Sequence, residues 1–229
     1  MSALVEKTTK ASIFVQIVTG AFGALGLTYT LPPEHAILGQ LLGLELLVQV
    51  IELLFYFSFL ATFRLEGLAT QRYFDWVIST PIMLFTMAAY FTYKTKQETK
   101  DKEKNKEGLS LSDFYVVNQT SLWIIWIANF AMLLFGFLGE IGYLDRMPAF
   151  VLGTGAFLVS FYTLYANFAQ YSTYAQILFA IMFVLWSGYG VGFLLPAISK
   201  NILFNGLDIL AKNFFGLFLF FQIRDIMVG

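Results

Sequence analysis

Four charged residues stand where an apolar chain has least use for them. Lys212 falls near the middle of an apolar run at about 203–225, and Asp208 lies four residues earlier, so the two project from one face of a helix about one turn apart. Arg72 and Asp75, three residues apart, share a face in another apolar run at about 69–93. An ionisable side chain at mid-bilayer costs roughly 2.5–3.5 kcal/mol on insertion scales, and such a residue marks function by default and demands a partner. If the two runs cross in the same direction, Asp75 and Asp208 reach similar depth beside Lys212, with Arg72 beyond them. Two cations then face two anions. That neutrality suits either a structural ion-pair cluster or a site that moves charge.

The neighbours narrow the choice. Trp76 follows Asp75 directly, and Trp186, Tyr189 and Phe193 at i, i+3 and i+7 form one aromatic face that can flank a flat apolar ligand. Beside a mid-membrane lysine, that face reads as a chromophore slot. A second polar pattern lies on the run at about 38–62: Glu45, Gln49 and Glu52 at i, i+4 and i+7 make a stripe with both carboxyls at membrane depth. Ser12 and Gln16 share a face in the first run, and Asn205 shares one with Asp208 and Lys212. Helices 1, 2, 3 and 7 can therefore line a hydrated cleft, and acidic side chains there favour cations. The competing reading makes Glu45 and Glu52 hydrogen-bonded glue between helices.

These residues need elements to position them, and composition says which. Of 229 residues, 58% are hydrophobic and 13% charged, against about 45–50% and about 25% in an ordinary soluble domain. A net charge of −1 leaves no basic footprint for nucleic acid, and the absence of Cys excludes disulfides, thiolate metal sites and a cysteine nucleophile. His35 is the single histidine, too few for a histidine-rich metal centre. A spanning helix needs about 20 apolar residues, and seven stretches qualify: about 11–31, 38–62, 69–93, 114–137, 148–169, 173–196 and 203–225. The expected fold is all-α, one seven-helix transmembrane domain over residues 1–229. The N-terminal segment lacks a cleavage-site pattern and reads as part of the mature protein.

The stretch Lys94 to Leu111, with six lysines and four acids, is expected to be a solvated cytoplasmic loop. With Arg224 it puts seven positive residues on one side, against Lys7, Lys10, Arg64, Arg146 and Lys200 on the other. That bias places the N-terminus outside and the C-terminus in the cytoplasm.

Taken together, R-Y-F-D-W-V-I-S-T-P from Arg72 to Pro81, W-S-G-Y from Trp186 to Tyr189 and L-D-I-L-A-K from Leu207 to Lys212 resemble the microbial (type 1) rhodopsins in residue type, spacing and order. The resemblance implies all-trans retinal bound covalently as a Schiff base to Lys212, Asp75 and Asp208 as counterions, and Arg72 linking them to the extracellular side. Trp76, Met83, Trp186, Tyr189 and Phe193 would form the pocket, with Ser79 near the counterion. Nearby carboxylates favour the charged form of such a base, and light would move its proton to Asp75, loosening the electrostatic hold of Asp75 on Arg72. Thr86 stands where pumping relatives place a carboxylic donor. The Glu pair on helix 2, Asn205 and Ser12 resemble the first group of viral rhodopsins, from giant viruses of algae, which act as light-gated cation channels. The function so implied is a light-gated channel for monovalent cations or protons in a cell membrane, with Glu52 as central constriction and Glu45 in the cytoplasmic half. Rival readings are an outward proton pump and a sensor signalling through a partner; no catalytic domain suggests an enzyme, and rhodopsins of this kind form homo-oligomers.

Overall fold

Apolar runs of this length leave the backbone no partner but itself, and helices result. The computed structural model describes residues 3–61, 65, 67–100 and 108–228. Its helices are α1 (Ala3–Gly26), α2 (Ala36–Ala61), α3 (Leu68–Lys100), α4 (Leu111–Glu140), α5 (Arg146–Leu164), α6 (Thr173–Leu194), α7 (Ala197–Asp208) and α8 (Phe214–Val228). A π-helical turn at Tyr165–Ala169 extends α5, and another at Ile209–Asn213 joins α7 to α8 into one seventh span. Neighbours in sequence pack side by side, and the seventh span closes the ring against α1. The result is the expected seven-helix bundle.

Six of the seven spans are long and apolar enough to cross a membrane by length and composition. The other is α1, whose inward face is mostly polar or small: Thr9, Ser12, Gln16, Thr19, Gly23 and Gly26 are buried together with Val5 and Ile13, while Phe14, Ile17 and Phe22 face outward. This is the amphipathicity of a helix in lipid around a polar interior. Burial is unequal along the ring: 67% of the apolar window of α3 and 56% of the seventh span's are buried, against 22–33% for the other four. The two innermost spans are therefore the ones that carry Arg72, Asp75, Asp208 and Lys212.

Several boundaries move. The first helix runs 3–26 rather than 11–31, because its early polar residues find partners inside and Pro32 and Pro33 forbid continuation past the turn at Leu27. The charged stretch is not all loop: α3 continues to Lys100, since Lys, Gln, Glu and Thr without Gly or Pro sustain a helix. Its extension touches the adjoining turns: Ser172 Oγ donates to Glu98 at 2.7 Å, and Lys94 Nζ lies 4.3 Å from the Tyr174 ring centroid. Residues 101–107 of that stretch, and Arg64 of the charge comparison, lie outside the described residues. At the other end of the bundle, α4 stops in a Schellman turn, with Gly142 at φ +74° and Tyr143 N donating to Leu138 O at 2.9 Å.

Candidate functional site

The seventh span supplies the amine. Lys212 lies in the π turn, where the extra residue of the wider helix rotates it toward α3 while Asp208 stays on the preceding turn. Its Nζ donates to Asp75 Oδ2 at 2.6 Å and lies 3.9 Å from Asp208 Oδ1. Arg72 Nη1 donates to Asp208 Oδ2 at 2.9 Å. All four side chains are buried. The two-cation, two-anion cluster expected from spacing is therefore assembled, with one correction to its wiring. Asp75 serves Lys212, and Arg72 pairs with Asp208 rather than with Asp75.

Isolated charges at this depth would be expensive, and Asp208 and Arg72 are accordingly supplied with further hydrogen bonds. Asp208 accepts from Tyr189 Oη at 2.8 Å and from Tyr56 Oη at 2.7 Å. Arg72 donates to Asn205 Oδ1, to Tyr56 Oη at 3.1 Å and to Asn201 Oδ1 at 3.4 Å, and its guanidinium carbon lies 5.3 Å from the ring centroids of both Tyr56 and Phe59. Asn205 Nδ2 donates in turn to Thr8 and Thr9 of α1. Asn205, expected on one face with Asp208 and Lys212, lies on the Arg72 side of the cluster.

On the other side of Lys212, Glu52 is held from two directions. Gln16 Nε2 donates to its Oε1 at 3.1 Å and Asn213 Nδ2 to its Oε2 at 3.2 Å. Gln16 also donates to Ser12 Oγ at 3.2 Å, and Thr19 Oγ1 to Asn213 Oδ1 at 3.1 Å. Farther along α2, Gln49 and Glu45 are buried, and Glu45 lies within reach of the Thr86 side chain. Four oxygens on this stripe are buried without a hydrogen-bond partner: Gln16 Oε1, Gln49 Oε1 and both Glu45 oxygens. The amide oxygens accept only, and the Glu45 carboxyl accepts when ionised and can donate when protonated. Ser79 Oγ and Asp75 Oδ1 are buried in the same unpartnered way beside Lys212.

From Lys212 a cavity of about 290 Å³ extends between α3, α4, α5 and α6. Trp76, Met83, Trp186, Tyr189 and Phe193, the residues expected around a flat ligand, all line it, joined by Thr80, Phe157, Phe183 and Phe204. Trp76 meets Tyr189 edge-on at 5.3 Å between centroids and Phe204 at 5.2 Å. Trp186 packs 5.3 Å from Phe161. Glycines make this aromatic wall possible: a Cβ at Gly188 would stand 3.0 Å from Leu207, one at Gly192 would collide with the Phe204 ring, and one at Gly136 would stand 2.6 Å from Tyr73 Oη. A narrow apolar slot that ends at a primary amine flanked by carboxylates fits a polyene aldehyde such as retinal.

Sequence reasoning missed Tyr56, Asn201, Asn213 and Thr19. Tyr56 had a signal, for it continues the stripe one turn beyond Glu52. Asn213 had none: adjacent residues on a helix project about 100° apart, and nothing in the sequence says that the face beside that of Lys212 meets Glu52 and Thr19.

The fold has relatives among known proteins. A family model described as Bacteriorhodopsin-like protein matches residues 7–226. A green-light absorbing proteorhodopsin from Gamma-proteobacterium EBAC31A08 is 26% identical over 164 residues, 64% of this chain and 57% of that protein, so the match spans less than two thirds of its length. Among solved structures, the viral rhodopsin OLPVRII is similar with a TM-score of 0.82 and 25% identity, covering 97% of this chain and 99% of that one. A blue light-absorbing proteorhodopsin from Med12 shares the fold at a TM-score of 0.73 and 19% identity, covering 98% and 99% of the two chains.

Proposed function

The chain is a member of the bacteriorhodopsin-like family, and on that premise we propose that it is a light-gated cation channel whose path runs between α1, α2, α3 and the seventh span. It is a multi-pass membrane protein with the N-terminus outside in this reading, and its cofactor is retinal. Held on Lys212 as a Schiff base, retinal supplies light absorption and a change of shape.

The residues do the rest. In the dark, Asp75 and Asp208 stabilise a positive charge at Lys212 Nζ. After illumination the proton at Nζ passes to Asp75 Oδ2, its hydrogen-bond partner. Asp208 then loses the cation on its Oδ1 side and faces Arg72 alone, so the change reaches Arg72 through Asp208. Arg72, with Asn201, Asn205 and Tyr56 around it, occludes the extracellular side and rearranges. Glu52, cross-tied by Gln16 and Asn213, is the central constriction, and Glu45 belongs to the cytoplasmic half.

The observation that carries this reading is the row of buried oxygens on Gln16, Gln49 and Glu45 that accept and receive nothing. Acceptor oxygens without donors suit cations or water passing between helices and repel anions. Whole-cell photocurrents at stepped voltages test it: passive conduction gives a current that reverses sign, whereas a current outward at every voltage means pumping. The second reading, an outward proton pump, draws support from one contact. Thr86 occupies the donor position on α3, and Glu45 lies beside it, where a carboxyl can return a proton from the cytoplasmic side.

A further inference from the structure

Gly216 lies one turn past Lys212, inside α8, and is buried. Glycine weakens a helix interior relative to alanine, and Gly216 is not among the glycines at positive φ, so its backbone conformation does not require it. Space does. A Cβ at Gly216 would collide with Gln49 Nε2 and stand 3.5 Å from Gln49 Cδ and 3.8 Å from Glu45 Cβ. Opposite, on α1, a Cβ at Gly20 would stand 3.5 Å from Gln49 Oε1. The Gln49 amide is thus seated between two bare stretches of backbone, one on each neighbouring helix.

We propose that Gln49, lodged between Gly20 and Gly216, is the plug that closes the cytoplasmic half of the path, and that Gly216 sets how completely it closes. The proposal rests on the channel reading and adds its moving part. The contrast with Glu52 supports it. Glu52 is fixed by two hydrogen bonds, from Gln16 and Asn213, whereas the Gln49 carbonyl oxygen is buried with no partner. Shape alone holds the amide, and a small widening between α2 and α8 releases it. The link to light is short: Phe214 begins α8 immediately after the π turn that carries Lys212. A displacement of the Lys212 backbone is passed along one helical turn to Gly216.

The test is the closing rate of the photocurrent after the light is switched off, with the current in darkness, in cells expressing the retinal-loaded protein and the variants Gly216→Ala, Gln49→Ala and Gly216→Ala/Gln49→Ala. Overpacking the seat by one methyl predicts closing about tenfold slower in Gly216→Ala, or a standing current in darkness. Gln49→Ala should leak in darkness, and adding Gly216→Ala to it should change nothing more, because the amide that the methyl meets is gone. If Gly216→Ala yields no pigment, the double variant must restore the visible band. Wild-type closing kinetics in Gly216→Ala, the same effect of Gly216→Ala with or without Gln49, or a colourless double variant overturns the plug while leaving the channel reading intact. A wild-type current that never reverses overturns both.

Discussion

Consider replacing Asp208 by asparagine, which keeps the side chain's shape and removes one of the two anions that offset Lys212 and Arg72. The hydrogen bonds can survive. The amide oxygen still accepts from Arg72 and Tyr56, which lie 2.9 and 2.7 Å from Oδ2, and the Tyr189 hydroxyl, 2.8 Å from Oδ1, can turn to accept from the amide nitrogen. What is lost is charge, at a site where Arg72 is 1% exposed. Breaking a buried pair from one side costs about 3–5 kcal/mol because it strands the other ion, at least roughly a hundredfold in the folded-to-unfolded ratio. Tyr189→Phe removes a single hydrogen bond to a charged acceptor and should cost about 1.5–3 kcal/mol. The decisive member of the series is Arg72→Gln/Asp208→Asn. It removes the stranded cation as well, so it should be more stable than Asp208→Asn alone, a coupling of opposite sign to simple additivity. Equilibrium unfolding in denaturing detergent, followed by helical circular dichroism, measures these three variants and the single Arg72→Gln. A cost below about 1 kcal/mol for Asp208→Asn, typical of exposed pairs, or a double variant at the sum of the singles, refutes the reasoning.

Glu52→Gln should preserve the fold, because Gln16 can flip its amide toward the new donor, its Oε1 having no partner now. It should cut photocurrent and cation preference about tenfold by removing the carboxyl at the constriction, read from reversal potentials in solutions of different ions. Gly192→Ala forces a methyl into the Phe204 ring, which stacks 5.6 Å from Tyr189 and meets Trp76 at 5.2 Å. It should cost about 1–3 kcal/mol and shift the visible band. Gly206→Ala, with nothing within 4 Å of the added Cβ, should instead stabilise the helix by up to about 1 kcal/mol with the band unmoved.

The bundle was legible because seven apolar runs admit few other solutions, and the charge cluster because Arg72, Asp75, Asp208 and Lys212 keep helical spacing on the two spans that prove innermost. The stripe Glu45, Gln49, Glu52 was legible for the same reason. What escaped depends on three-dimensional detail that periodicity does not encode. The assignment of Arg72 to Asp208 rather than Asp75 follows from how far each side chain reaches across the bundle. Asn213 stayed hidden because periodicity does not say which neighbouring helix its face meets. Lys94 to Lys100 looked like solvated loop because charge was read before propensity, although the same residues are good helix formers. Gly216 and Gly192 matter through what approaches them, and the facing side chains belong to other helices.

The central claim is that retinal is carried by the amine of Lys212, and the visible absorbance of purified Lys212→Ala after incubation with all-trans retinal tests it most directly. A visible band is expected in the parent protein and none in the variant, with the helical circular dichroism of the two alike. A visible band that survives in Lys212→Ala would contradict it.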